Sequence, residues 1–233
     1  MGTSAAEPFH DATAGESPVR GFLHRPASPA SAGLVLTHGA GSNSNAPLLV
    51  ALGTAFAARG LVVLRCDLPY RQARRTGPPR PGDAAHDREG LKRAVELLRR
   101  RHPGGVFLGG QSYGGRQASM LAAEEPGLAD ALLLLSYPLH PPGRPAQLRS
   151  SHFPRLVTPA FFAHGSVDPF ATIDELEVAR RLIPPPTALL VVEGAGHGLG
   201  RGRRTSDLAT GTVERIVDAF LGFMAEPRMR ESS

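Results

Sequence analysis

A short run of β-suited apolar residues recurs along the chain, at 34–36, 61–64, 106–110, 131–135, 160–163 and 187–192. Between successive runs lie loops and stretches with helical character. The runs are apolar at consecutive positions and do not alternate with polar residues, so both faces of each strand need cover. That requirement predicts three layers, with a mainly parallel sheet between helices on either side. Helices are expected over 47–59, 83–101, 115–125, 173–182 and 207–224. In the second of these Leu91, Ala94, Val95 and Leu98 recur at three- and four-residue steps, which gives one buried face. Gly60 supplies the stop for the first. Val19–His24 is expected as a short edge strand, and 71–83 and 137–159, rich in proline, as loops. No linker or internal repeat divides the chain. We expect a loose lead-in over 1–17, one domain over 18–226 and a flexible tail over 227–233.

Composition excludes several classes of function. With 41% hydrophobic and 20% charged residues the chain is a folding one, and no apolar stretch reaches the roughly 20 residues of a membrane span. Residues 1–17 lack a basic segment followed by an apolar one, so no signal peptide is expected. A single cysteine, Cys66, leaves no internal disulfide and points to a reducing, cytoplasmic location. The net charge of +5 comes almost wholly from arginine, Lys92 being the lone lysine, and it is not gathered on one element with aromatics between. Nucleic-acid binding is therefore not expected. The histidines show no metal-ligand spacing, and no phosphate-binding glycine loop follows the first buried strand. We expect no metal and no cofactor.

In an open sheet of this kind ligands bind at the carboxyl ends of the strands. The loop after 106–110 carries "GGQSYGGR", in which Gly110-Gln111-Ser112-Tyr113-Gly114 fits G-x-S-x-G between a strand and a helix. A serine held there on a sharp turn needs small neighbours two residues away on each side. Alone, the pentapeptide also fits a plain glycine crossover.

In this context the chain resembles the α/β-hydrolase family. The resemblance implies a three-layer α/β-hydrolase fold with the order serine, acid, histidine. "AHGSVDPF" is similar to the family's acid loop and brings Asp168; "VEGAGHGLG" is similar to its histidine loop and brings His197. Singly, Asp168 reads as a turn or helix-capping residue and His197 as a loop histidine. Together, each just after a strand, they make Ser112 the nucleophile, His197 the base and Asp168 its orienter. Asp174 and Asp130 are reserve acids, the first at the start of a helix and the second ahead of a strand. "HGAG" (38–41) is similar to the family's oxyanion loop. The resemblance then implies backbone N–H donors at Tyr113 and at Ala40, with Gly39 the alternative to Ala40. His38 reads more readily as a hydrogen-bonding structural residue than as a second base. Cys66 reads as a small apolar filler, because the elbow position that a thiol nucleophile would occupy holds serine.

"LTHGAG", "DLPYR", "GGQSYGGR", "YPLHPPGRP" and "AHGSVDPF" extend the likeness over 34–200. They resemble a small lid-less subgroup that includes testis-expressed hydrolase-like proteins and a hydrolase-like subunit of a nuclear histone-acetyltransferase complex. Dienelactone-hydrolase-like proteins share the compact design. The stretch 137–159 is too short for a large helical lid, so no lid domain and an open site are expected.

The expected function is a serine hydrolase, foremost a carboxylesterase cutting a small ester through an acyl-enzyme. A thioesterase or peptidase with the same machinery, and a non-enzymatic interaction module on the same fold, are the alternatives. The partner is then a small-molecule ester, with neither nucleic acid nor membrane. Candidate substrate-binding residues are His38, Tyr70, Arg71, Arg116, Tyr137 and His140, with Leu139 beside them. Arg71, Arg74, Arg75, Arg80, Arg116, Arg144, Arg149, Arg201, Arg203 and Arg204 recur in loops near the expected site. They would favour an anionic ester, although arginine spread by composition accounts for them as well.

Overall fold

The structure is a computed structural model and describes residues 6–13, 17–200 and 211–226. In chain order the elements are β1 (Glu7–Asp11), β2 (Val19–His24), β3 (Ala32–Thr37), α1 (Pro47–Ala58), β4 (Leu61–Cys66), α2 (Pro69–Ala73) and α3 (Asp83–Arg101). There follow β5 (Val106–Gln111), α4 (Tyr113–Glu124), β6 (Leu132–Leu135), β7 (Ala160–Gly165), α5 (Ile173–Arg180), β8 (Thr187–Val192) and α6 (Thr212–Ala225). The strands form one 8-stranded sheet in the order β1-β2-β4-β3-β5-β6-β7-β8. All pairings from β4 to β8 are parallel; β1–β2 and β2–β4 are antiparallel.

Successive residues of the central strands feed opposite cores. Val35, Leu108, Leu134 and Phe162 pack with α3, α4 and α5 on one face. Leu34, Leu36, Phe107, Leu133 and Phe161 pack with α1 and α6 on the other. This is why the strands are apolar at every position and not at every second one. The chain leaves β3 outward to β4, then returns across it to β5. The β3 and β5 loops therefore open side by side at one edge of the sheet, the switch point where such folds bind ligands.

Four expectations change. Residues 7–11, expected within the loose lead-in, form β1, because Phe9 packs against the core and the strand pairs with β2 from Glu7↔Leu23 to Asp11↔Val19. Val19–His24 is consequently not the edge strand. The stretch after Asp67 is not wholly loop: Pro69 opens the short α2, whose fixed proline φ suits a first helical turn. The 137–159 stretch is largely without regular structure, as expected, but one 3-10 turn (Phe153–Arg155) folds it inward, with Phe153 and Leu156 fully buried. Helix α6 begins at Thr212; its expected start at Asp207 and the expected tail over 227–233 lie outside the described residues.

Buried histidines give the fold an acid-sensitive side. His24, 2% exposed, accepts a hydrogen bond from Arg65 Nε at 2.7 Å. Burial, then the Arg65 charge, pushes its pKa down from 6.5 to about 4. His152 lies 2.8 Å from Ser119 Oγ; burial, then the Arg116, Arg155 and Arg88 charges, pushes it down to about 4 as well. A base with a lower pKa folded than unfolded takes up protons on unfolding between the two values. Its contribution to stability is thus present above pH 6.5 and is lost as pH falls to 4. The Tm is expected to fall across that window, each histidine contributing up to about 1.4 kcal/mol per pH unit. A Tm that stays flat from pH 6.5 to 4 in a buffered melting series would contradict this.

Candidate active site

At the end of β5 the chain turns so sharply that Ser112 takes φ 51°, ψ −117°. A non-glycine residue at positive φ is strained by about 1–3 kcal/mol and persists only where its surroundings hold it. Ser112 N–H donates to Leu135 O at 2.8 Å, and Ser112 O accepts from Arg116 N–H at 2.9 Å. The flanking glycines let the two arms of the turn close up. A Cβ on Gly110 would lie 2.7 Å from the backbone of Gly114, and one on Gly114 would lie 2.5 Å from His38 O. Both arms are also pressed against β3 at Thr37, so the tight turn is set by packing as well as by local conformation.

Two later strand ends meet this serine. His197, in the loop after β8, places Nε2 2.8 Å from Ser112 Oγ. Its Nδ1 faces Asp168, in the loop after β7, at 3.0 Å from Oδ1 and 2.8 Å from Oδ2. The Asp168 carboxylate is fully enclosed, whereas the His197 side chain is 27% exposed. Asp168 Oδ1 also accepts from Phe170 N–H at 2.9 Å. Phe170 stacks on the imidazole, with centroids 4.1 Å apart and planes 29° apart. Gln111 Nε2 donates to His197 O at 3.3 Å. The imidazole is thus held on its Nδ1 edge, on one face and through its backbone, while Nε2 points at the serine. His164, behind the acid, lies 3.6 Å from Asp168 Oδ2 and 3.1 Å from Ala171 O through Nε2; burial keeps its pKa low.

An open cavity of about 470 Å³ lies in front of Ser112 and His197. Gly39, Ala40, Gly41 and Ser42 line it from the β3 loop, Ala46, Pro47 and Leu48 from the start of α1, and Phe170 and Gly198 from the far side. Apart from His197, no titratable side chain among the described residues lines it. The Tyr113 N–H, in the first turn of α4, has no partner within that helix. Gly39 sits against the serine, since a Cβ there would be 3.5 Å from Ser112 Cβ.

The remaining candidates do not line this cavity. His38 is fully buried; its Nδ1–H donates to Gly39 O at 2.9 Å and its Nε2 accepts from Leu68 N–H at 3.1 Å. Burial lowers its pKa, which suits this neutral tautomer. Tyr70 is buried behind the β3 loop, and Arg71 spends its guanidinium on the carbonyls of Ala40, Ser42, Arg74 and Gly77. Tyr137 is a core residue packed on Phe153 and Phe162, and its hydroxyl donates to Arg149 O at 2.7 Å. His140 is turned toward Pro141 O and Glu175, and Leu139 is buried. The stretch that was expected to supply substrate-binding residues instead packs inward, with Phe153 and Leu156 buried and Tyr137 laid on Phe153 and Phe162. Arg116 is half-buried in α4, and its Nε has no hydrogen-bond partner among the described residues. Arg74 pairs with Asp83, and no described arginine lines the cavity; Arg201, Arg203 and Arg204 lie outside the described residues. The reserve acids lie elsewhere: Asp174 opens α5, and Asp130 accepts from Val106 N–H at the start of β5. Cys66 is buried, and burial pushes its thiol up to about 12. Phe170 and the α1 wall were missed. Phe170's only signal in the sequence is its place two residues after Asp168 in the acid loop.

Sheet order, elbow and loop placement define an α/β hydrolase, and the family comparison agrees. The chain belongs to the alpha/beta hydrolase domain family, whose model matches residues 30–225. Among solved structures it is similar to an alpha-beta serine hydrolase homologue from Coxiella burnetii (16% identity, TM-score 0.71, covering 94% of this chain and 97% of that one). It is equally similar in fold to a dienelactone hydrolase from Anabaena variabilis (20% identity, TM-score 0.71, the same coverage). A serine hydrolase without a lid from Xanthomonas campestris matches at 15% identity and TM-score 0.67, covering 92% and 94%. No described helix is long and apolar enough to cross a membrane, and no described group of three or more metal-binding side chains is placed to hold an ion.

Proposed function

We propose that the protein is a serine hydrolase that cleaves a compact, uncharged carboxylic ester through an acyl-enzyme. One observation carries this: Ser112 Oγ, His197 and the enclosed Asp168 carboxylate stand in a hydrogen-bonded line that opens onto a cavity lined, among the described residues, by no Lys, Arg, Asp or Glu side chain. Ser112 is the nucleophile, and His197 Nε2 takes its proton as the serine oxygen attacks the ester carbonyl. The oxyanion that forms is met by the Tyr113 N–H and by the β3 loop through Ala40 or Gly39. The imidazolium then protonates the departing alcohol. A water molecule, deprotonated by the same imidazole, cleaves the acyl-enzyme and restores Ser112. Asp168 keeps His197 in the Nδ1–H tautomer and stabilises its cation.

An apolar wall of Ala40, Ala46, Pro47, Leu48 and Phe170 offers a charged substrate group no ionic partner among the described residues. Placing an unpaired carboxylate there costs free energy. The narrower kinship with the lid-less subgroup rests on "LTHGAG", "DLPYR", "GGQSYGGR", "YPLHPPGRP" and "AHGSVDPF" and brings no substrate of its own. An activity-based fluorophosphonate is expected to label the protein at Ser112, as read by peptide mass spectrometry. p-Nitrophenyl butyrate is expected to exceed its succinate half-ester analogue in kcat/KM by about tenfold or more. Labelling at another residue, or none, would refute the serine mechanism. An equal or reversed ester preference would refute the uncharged substrate. Matched thioesters and anilides in the same panel separate an esterase from a thioesterase or peptidase.

A further inference from the structure

We propose that Asp87, Tyr70 and Tyr113 are positioning residues, a buried bracket that aims the two halves of the oxyanion site at each other. The inference rests on the serine-hydrolase function proposed above and concerns residues outside the cavity lining.

Asp87 lies on α3 with no exposed surface and, among the described residues, no cationic side chain in ion-pair contact. Burial raises its pKa, so the carboxylate is an expensive thing to keep there. Its two oxygens are divided between two chain segments. Oδ1 accepts the backbone N–H of Tyr70, in α2, at 3.0 Å. Oδ2 accepts the phenol O–H of Tyr113, the residue after Ser112, at 2.8 Å. The rings of the two tyrosines meet edge to face at 5.9 Å and 90°.

Each tyrosine reaches one half of the site. Tyr113 carries the elbow N–H; a side chain tied to Asp87 limits rotation of that residue about its own backbone. Tyr70 O–H reaches Ala40 O at 2.8 Å and Gly39 O at 3.2 Å. In a trans peptide the N–H points opposite the C=O. Holding Gly39 O toward Tyr70 and the His38 Nδ1–H therefore turns the Ala40 N–H away from them. Arg71, bonded to Ala40 O and Ser42 O, supports the same loop. The assembly depends on close approach of α2 to α3. Gly90, three residues after Asp87, admits Pro69; a Cβ there would lie 2.5 Å from Pro69 Cγ. One carboxylate thus links the β3 loop, through Tyr70, to the nucleophile's turn, through Tyr113.

Two variants test it. Tyr70→Phe removes only the hydroxyl that reaches the loop, and Tyr113→Phe only the one that reaches Asp87. Each is expected to lower kcat by about 30-fold with KM within about twofold, the signature of donors displaced from the transition state. A trifluoromethyl ketone, which forms the tetrahedral adduct with the serine, should lose affinity by the same factor as kcat/KM. An amide analogue of the substrate, which binds without forming the adduct, should keep its Kd. Wild-type kcat in both variants would overturn the bracket. So would a loss of kcat matched by an equal loss of amide affinity, because that reports general damage to the site. If Tyr70→Phe fails to fold, Tyr113→Phe decides alone. Absence of fluorophosphonate labelling in the wild type overturns the serine mechanism and the bracket together. Labelling at Ser112 with unimpaired variants overturns only the bracket.

Discussion

Replacing Ser112 by alanine is expected to lower kcat toward p-nitrophenyl butyrate by about 10⁵–10⁶-fold, and His197→Ala by a similar factor. The two losses should not add. Each removes the same event, transfer of the Oγ proton to Nε2 across 2.8 Å as the oxygen attacks. A doubly substituted protein is expected to be no slower than either single variant. Residual turnover from oxyanion donors and substrate binding should persist at about 10³-fold over water. Because Ser112 has strained backbone at φ 51°, its replacement by alanine leaves that strain in place, and the Tm should move little. Steady-state rates on protein quantified by mass, together with melting curves, check both parts. A Ser112→Ala variant that retains about a tenth of the wild-type kcat would show that another group attacks the ester.

The layered fold was legible because burial on both faces leaves strands that are apolar at consecutive positions. The cores on either side of the sheet are drawn from alternate residues of the same strands, as with Leu34 and Val35. Helix α3 (Asp83–Arg101) could be anticipated because Leu91, Ala94, Val95 and Leu98 keep helical spacing across about two turns. The meeting of Ser112, Asp168 and His197 could be anticipated because their loops resemble the family's elbow, acid and histidine loops, and each follows a strand in the parallel part of the sheet. What was not legible depends on contacts between segments distant in sequence. The 7–11 strand has a single large apolar residue, Phe9, and becomes a strand only because β2 offers it an edge. Tyr137 and His140 sit among prolines that signal a loop, yet whether a loop is laid on the core or lifted off it is decided by Phe153 and Phe162, which Tyr137 packs against. The arginines carried no local sign of their partners. Arg71 binds backbone carbonyls about 30 residues away, which no spacing within "DLPYR" reveals. Asp87 carries no sign of its role in the sequence, because a buried carboxylate and a solvated one are spelled alike.

Asp168→Asn is expected to lower kcat by about 10⁴-fold while leaving the fold and substrate affinity nearly unchanged. The expectation follows from which oxygen does what. Oδ1 accepts the Phe170 N–H at 2.9 Å, and a backbone donor in a tight turn cannot reverse its role. An asparagine at 168 must therefore set its carbonyl oxygen where Oδ1 stands, which leaves its amide NH₂ at the position of Oδ2, 2.8 Å from His197 Nδ1. That nitrogen can then only accept. The imidazole is driven to the tautomer with the proton on Nε2, which faces Ser112 Oγ with a hydrogen where a lone pair is needed. The serine keeps its proton, although every heavy atom remains in place. His164 offers no rescue, being a neutral histidine on the far side of the acid, with its Nε2 toward Ala171 O. Since deprotonation of Ser112 by hydroxide bypasses the blocked nitrogen, the variant's rate should climb with pH well beyond the point where the wild-type rate levels off. A pH–rate profile on matched protein tests this. A variant within about tenfold of wild-type kcat at neutral pH would mean that Asp168 does not set the tautomer of His197.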